Sequence, residues 1–224
     1  MVKQYRLLVF DWEGTLADSL GPILNCIAKQ AKNLHFGEIN PQSACQWLGL
    51  GLAKAIKKIF PDLNLSQQEK LLLAVHQGLA PSFTETYLIP GAKEFIARIA
   101  QTNIKLAIAT NKGHQSLQRA LFASKLDRAF KVTRSAGLLP AKPCPQMLEE
   151  ILAECAVSNC ESLMLGDSVS DIEMAKSLNV DAIGIDFYNQ QHNALEAAGA
   201  IYVFENYEQI ANFLELPPPQ RDPL

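Results

Sequence analysis

Short apolar runs recur along this chain, separated by longer stretches in which apolar residues fall three and four positions apart. The runs are LLVF (7–10), IKLAIAT (104–110), FKVTRS (130–135), SLMLG (162–166), DAIGID (181–186) and AIYVF (200–204). A strand covered on both faces reads as an unbroken apolar run, and strands alternating with helical segments build a parallel sheet with helices on its faces. The pattern predicts an α/β fold, a doubly wound parallel sheet.

More than 80 residues separate the first run from the second, far more than one crossover helix uses. That segment carries helical spacing at Ile23, Ile27, Ala31 and Leu34, at Leu52, Ile56 and Ile59, and at Leu71, Leu72 and Val75. Pro90 and Gly91 then mark the return to the sheet. The expected division is a core of residues 1–17 and 86–216, an inserted helical domain of 18–85, and a proline-rich tail of 217–224, whose three consecutive prolines favour an extended end.

An apolar content of 48% over 224 residues is ample for a buried core. The formal charge of -3 leaves no basic excess for nucleic acid or an anionic membrane. No apolar run reaches the roughly 18 to 20 residues of a membrane span, so neither a leader peptide nor a membrane anchor is predicted. Five cysteines without metal-ligand spacing suggest reduced thiols in a cytoplasm rather than disulfides or zinc.

In open parallel sheets ligands bind beyond the carboxyl ends of the strands, so the residues following each strand meet in space. After the first strand come Asp11, Glu13 and Thr15; after the second, Thr110 and Asn111; after the fourth, Asp167, Ser168 and Asp171. AKPCP supplies Lys142 ahead of a helix expected to start near Gln146. Four carboxylates at one edge repel one another unless a cation neutralises them, and an all-oxygen set suits Mg2+ with water and a substrate phosphate. Plainer roles exist: Thr110 with Asn111, or Asp167 with Asp171, would also cap helices, and Gly14 and Gly166 would suit tight turns.

FDWEGTLADS, IATN, AKPCP and GDSVSD, in that order, resemble the four motifs of the haloacid dehalogenase-like (HAD) superfamily, and within it the phosphoglycolate phosphatase-like phosphatases. The likeness covers nearly the whole chain and implies a Rossmann-like HAD core with an inserted helical C1 cap. It implies Asp11 as the nucleophile that forms an aspartyl-phosphate, Thr110 as a hydrogen-bond donor to the phosphoryl group, and Lys142 as the charge that neutralises both Asp11 and the phosphate. It further implies a Mg2+ site of Asp11, the Glu13 carbonyl, Asp167 and Asp171, with backbone donors near Glu13, Gly14 and Asn111 cradling the phosphate. Dehalogenation is disfavoured, because such relatives typically lack the metal-binding acids.

The misfit is Glu13, where the family pattern has aspartate as general acid and base. Its carboxyl stands one methylene, about 1.5 Å, further out, and a misplacement near 1 Å can cost about 10²-fold. Several readings stay open. Glutamate reaches the same point through another rotamer; or it impairs hydrolysis and leaves a phosphate-binding or regulatory protein; or the chain is a phosphotransferase or phosphomutase of the same fold.

The insertion is expected to act as a lid, selecting a small phosphorylated metabolite over protein or nucleic acid. WLGLGL (47–52) places Trp47 and Gly49 in a turn resembling the cap loop of such phosphatases, with a plain turn between helices as the alternative. Lys112 is a candidate contact for a substrate carboxylate.

Overall fold

The computed structural model describes residues 4–48, 52–79 and 87–219. The strands are β1 (Leu7–Phe10), β2 (Lys105–Thr110), β3 (Val132–Ser135), β4 (Ser162–Gly166), β5 (Asp181–Ile185) and β6 (Tyr202–Phe204). They form one parallel sheet in the order β3-β2-β1-β4-β5-β6. The predicted runs are borne out to within two residues. Two of the trimmed residues still bond to the sheet: Asp186 N–H donates to Phe204 O at 2.8 Å and Ile201 N–H to Ala182 O at 2.8 Å.

The helices are α1 (Gly21–Asn33), α2 (Pro41–Leu48), α3 (Leu52–Ile59), α4 (Leu65–Leu79), α5 (Ala92–Ile99), α6 (His114–Ser124), α7 (Gln146–Cys155), α8 (Val169–Ser177), α9 (His192–Ala198) and α10 (Tyr207–Phe213). The chain divides into two compact units, Met1–Ala17 with Leu88–Leu224, and Asp18–Tyr87.

The first unit is doubly wound because its central strands are apolar on both faces. Leu8, Phe10, Ile108, Leu163, Leu165 and Ile183 share one cluster with Phe95 and Ile96 of α5, Leu117 of α6 and Ile210 of α10. Leu7, Val9, Ala107, Ala109 and Met164 share the other with Met147 and Ile151 of α7, Ile172 of α8 and Leu195 of α9. The period of two along each strand sends alternate residues to opposite layers. Strand order reverses between β1 and β4, so the crevice for a ligand opens beyond the carboxyl ends of these two neighbours. Asp11 and Asp167 follow them directly.

The second unit packs α1, α3 and α4 around Ile27, Ala31, Ile56, Phe60, Leu71, Val75 and Leu79. Local polar residues start its helices. Asp18 Oδ1 accepts from Gly21 N at 2.7 Å, and Asn64 and Gln67 each accept the other's backbone N–H at 3.0 Å, a capping box ahead of α4.

At the other end of the chain, Arg98 of α5 donates to the Pro217 carbonyl at 2.7 Å and pairs with Glu208 at 2.7 Å, which ties the start of the proline-rich tail to the first unit. Residues 220–224 of that tail, and Gly49 of the WLGLGL turn, lie outside the described residues.

Candidate active site

The backbone after β1 turns sharply and is held from within. Trp12 is buried, its carbonyl accepts from Leu16 N at 2.9 Å and Ala17 N at 2.8 Å, and Gly14 N–H donates to Ala17 O at 2.9 Å. Gly14 has φ +73°, in the left-handed region that glycine adopts without steric cost. It also makes room, since a Cβ there would stand 2.0 Å from Asp167 Oδ2. With its N–H spent inside the turn, what Gly14 contributes here is space for the acid that follows β4.

Beneath that turn, Asp11, Asp167 and Asp171 present carboxylate oxygens that all lie within 4.8 Å of one another. Lys142 Nζ reaches into the group, 2.7 Å from Asp11 Oδ1 and 2.6 Å from Asp171 Oδ1, and donates to the Ala109 carbonyl at 3.2 Å. The contact with Asp11 Oδ1 is an off-axis ion pair rather than an aligned hydrogen bond. The remaining oxygen of Asp171, Oδ2, accepts from Ser168 Oγ at 2.7 Å and Ser168 N at 3.2 Å, so Asp171 caps α8 as well as meeting Lys142. Gly166 permits this, because a Cβ there would lie 2.4 Å from the Asp171 side chain.

Two buried acids, Asp11 and Asp171, and the half-buried Asp167 face one lysine and leave uncompensated negative charge, and the titration behaviour reflects it. Burial pushes the Asp11 carboxyl up, Asp171 adds to this, and Lys142 offsets part of it. Asp167 is pushed up to about 7 by burial, then by Asp11 and Asp171. Burial disfavours the charge on Lys142, but Asp11 and Asp171 outweigh it, so its pKa lies above the ordinary lysine value. These carboxyls ionise readily only against a further positive charge. A small, hard divalent cation fits an all-oxygen set of this kind.

The loop after β2 borders the group. Thr110 is buried, and its Oγ1 accepts the Lys112 N–H at 3.2 Å, which leaves the hydroxyl proton to donate to an anion. Asn111 Oδ1 accepts the Lys142 N–H at 2.8 Å and so ties the second motif to the third. The Lys142–Pro143 peptide bond is cis.

Glu13 stands outside the aspartate group. Its Oε1 lies 2.5 Å from Lys112 Nζ, and both side chains are partly exposed. The two residues are thus paired with each other, a contact that nothing in the local sequence signals. Trp47 lies in α2 of the second unit, with Lys58 Nζ 5.4 Å from its ring centroid. Tyr207 is a further supporting residue without a local signal: it donates from its hydroxyl to the Thr15 carbonyl, stacks on Phe95 at 4.9 Å, and braces the acidic turn from α10.

Comparison with known proteins agrees with this architecture. A phosphoglycolate phosphatase of Photobacterium profundum is 25% identical over 228 residues, spanning 96% of this chain and 99% of its own. The crystal structure of a predicted phosphoglycolate phosphatase from Haemophilus somnus superposes with a TM-score of 0.62 at 21% identity, over 93% of this chain and 97% of that one. CbbY of Rhodobacter sphaeroides, crystallised with xylulose 1,5-bisphosphate, superposes with a TM-score of 0.58 at 20% identity, over 91% of this chain and 95% of that one. The family model of the haloacid dehalogenase-like hydrolases matches residues 8–185, from β1 through β5 and across every residue of the acidic group, and the chain belongs to that family.

Proposed function

We propose that this protein is a Mg2+-dependent phosphatase that hydrolyses a small phosphomonoester, phosphoglycolate or a near analogue, through an aspartyl-phosphate on Asp11. The observation that carries the reading is Lys142 set between Asp11 and Asp171 at the switch point of the sheet, with Asp167 completing an acidic group that calls for a cation. The name of the Photobacterium relative supports the substrate class.

Asp11 and Asp167 would hold the metal, with Asp171 directly or through water and the Glu13 carbonyl completing the set. When bound, Mg2+ supplies charge that lets these acids ionise at neutral pH and draws the phosphate toward them. Lys142 neutralises Asp11 and the incoming phosphate as a point charge, while the Thr110 hydroxyl donates to a phosphoryl oxygen.

Attack of the Asp11 carboxylate on phosphorus forms an acyl-phosphate bond and breaks the ester P–O bond. The departing alkoxide takes its proton from the Glu13 carboxyl. Glu13, now ionised, takes a proton from water as the water attacks phosphorus; the acyl-phosphate bond breaks, and Asp11 and inorganic phosphate are released. The partly exposed carboxylate of Glu13 is consistent with such proton exchange.

No described helix is long and apolar enough to cross a membrane. The odd count of five cysteines, without metal-ligand spacing, supports assignment to a reducing cytoplasm.

The test is phosphate release from phosphoglycolate and p-nitrophenyl phosphate, with Mg2+ and with EDTA, for the native chain, Asp11→Asn and Glu13→Asp. Mg2+-dependent release that disappears in Asp11→Asn is expected. Release from Glu13→Asp alone would instead identify a phosphate-binding protein in which hydrolysis has been given up.

A further inference from the structure

We propose that Lys112 is a positioning residue: it fixes where the Glu13 carboxylate stands, and so allows a glutamate to serve at a position whose family pattern is aspartate. This deepens the phosphatase reading above and rests on it.

The backbone under Glu13 is not free to adjust. Residue 13 lies between buried Trp12, whose carbonyl takes two backbone N–H bonds, and Gly14, held at φ +73°. What remains adjustable is the side chain, which carries one more rotatable bond than aspartate and is 42% exposed. An unrestrained glutamate in such a setting spreads its carboxylate over several rotamers, and each one away from the reacting oxygen lowers the rate.

Lys112 supplies the restraint. Its Nζ lies 2.5 Å from Glu13 Oε1, and it is itself the less exposed partner, at 26%. The lysine is anchored, because its N–H bonds to Thr110 Oγ1 at 3.2 Å, and neighbouring Asn111 accepts from Lys142 N at 2.8 Å. One end of the pair therefore stands on the β1 turn and the other on the β2 loop that carries Thr110.

Lys112 engages Oε1, which leaves Oε2 as the oxygen to give and take a proton. The reach of the pair matches glutamate: an aspartate on the same backbone would fall about 1.5 Å short of Lys112. A pair this exposed adds little to folding stability, so its value lies in placement.

The test uses the intact chain with Mg2+ and two substrates, phosphoglycolate, which has a carboxylate, and p-nitrophenyl phosphate, which does not. Lys112→Met is expected to lower kcat about 10- to 100-fold on both, with KM little changed. Lys112→Arg should restore most of the loss, and in a Glu13→Gln background Lys112→Met should cost nothing further.

A rise in KM confined to phosphoglycolate would overturn the proposal and make Lys112 a contact for the substrate carboxylate. A rise in kcat, or an equal loss in the Glu13→Gln background, would overturn it as well. A readout independent of turnover is the carboxylate carbon NMR resonance of Glu13, assigned by its loss in Glu13→Gln, which should move in Lys112→Met. A resonance that stays in place in an active enzyme overturns the positioning role alone. If it moves but the native chain releases no phosphate, the phosphatase reading falls, and the positioning role with it.

Discussion

Two lysines meet carboxylates at the carboxyl edge of this sheet, at nearly the same distances and with different consequences. Lys142 lies 2.7 Å and 2.6 Å from Asp11 and Asp171, with side chains only 2%, 10% and 0% exposed. Lys112 lies 2.5 Å from Glu13, with exposures of 26% and 42%. Distance does not separate the two pairs; water does. In the buried group each charge depends on its neighbours, and removing one leaves the others without compensation. At the wet pair solvent replaces either partner, so the contact governs direction more than energy.

The largest effect expected from breaking this comparison is that of Lys142→Met. Loss of one partner from a buried ion pair costs about 3–5 kcal/mol, and urea unfolding at pH 7.5 should register a destabilisation of that order. The loss should shrink at pH 5, where Asp11 and Asp167 take up protons and need the lysine less.

Next in size is Gly14→Ala. A non-glycine residue at positive φ costs about 1–2 kcal/mol, and the added Cβ would displace the Asp167 carboxylate it collides with. Disturbing the support of a ligand in this way typically costs about 10- to 100-fold in metal affinity, which calorimetric titration with Mg2+ would measure.

A smaller effect follows from the raised pKa of Asp167. Its folded value of about 7 lies above the ordinary 3.8, so between those values the native state holds a proton that the unfolded chain has released. The contribution of Asp167 to stability therefore declines as pH rises through that window in metal-free protein. Mg2+ competes for the same oxygens, so its stabilising effect should grow over the same range. Urea midpoints at pH 4.5 and 7.5, with EDTA and with Mg2+, should show both trends, and Asp167→Asn should flatten them.

The smallest expected change is the stability of Lys112→Met, which should stay within about 1 kcal/mol of the native chain. A loss as large as that of Lys142→Met would erase the distinction between the two lysines.

Much of the fold was legible because it depends on burial, which local patterns record. The runs at 7–10 and 162–166 became β1 and β4 at the expected residues, and Gln146 opens α7 as expected. The edge strands β3 and β6 were shorter than their runs because residues at the start of each run bond back into the preceding turn, Phe130 N–H to Leu126 O and Ala200 N–H to Leu195 O, instead of into the sheet. In the site, the acids could be named from their places after strands, and the family likeness implied Lys142 as the charge facing Asp11, but the remaining partners could not be read from the chain. Asp171, for instance, has a plain cap role with Ser168 and a long-range one with Lys142, and both turned out to hold at once, one on each carboxylate oxygen.

The sequence by itself determined the strands, the order of the four motifs, the family likeness and the presence of a glutamate at position 13, since each is a property of residue type and spacing along the chain. The tertiary structure alone decided that Lys142 stands between Asp11 and Asp171, that Gly14 yields its space to Asp167, and that Glu13 turns to Lys112, 99 positions away. The reason is physical: a hydrophobic period fixes which face of a strand or helix is buried, but the partner of a charged side chain is set by which strands lie side by side and where their loops end.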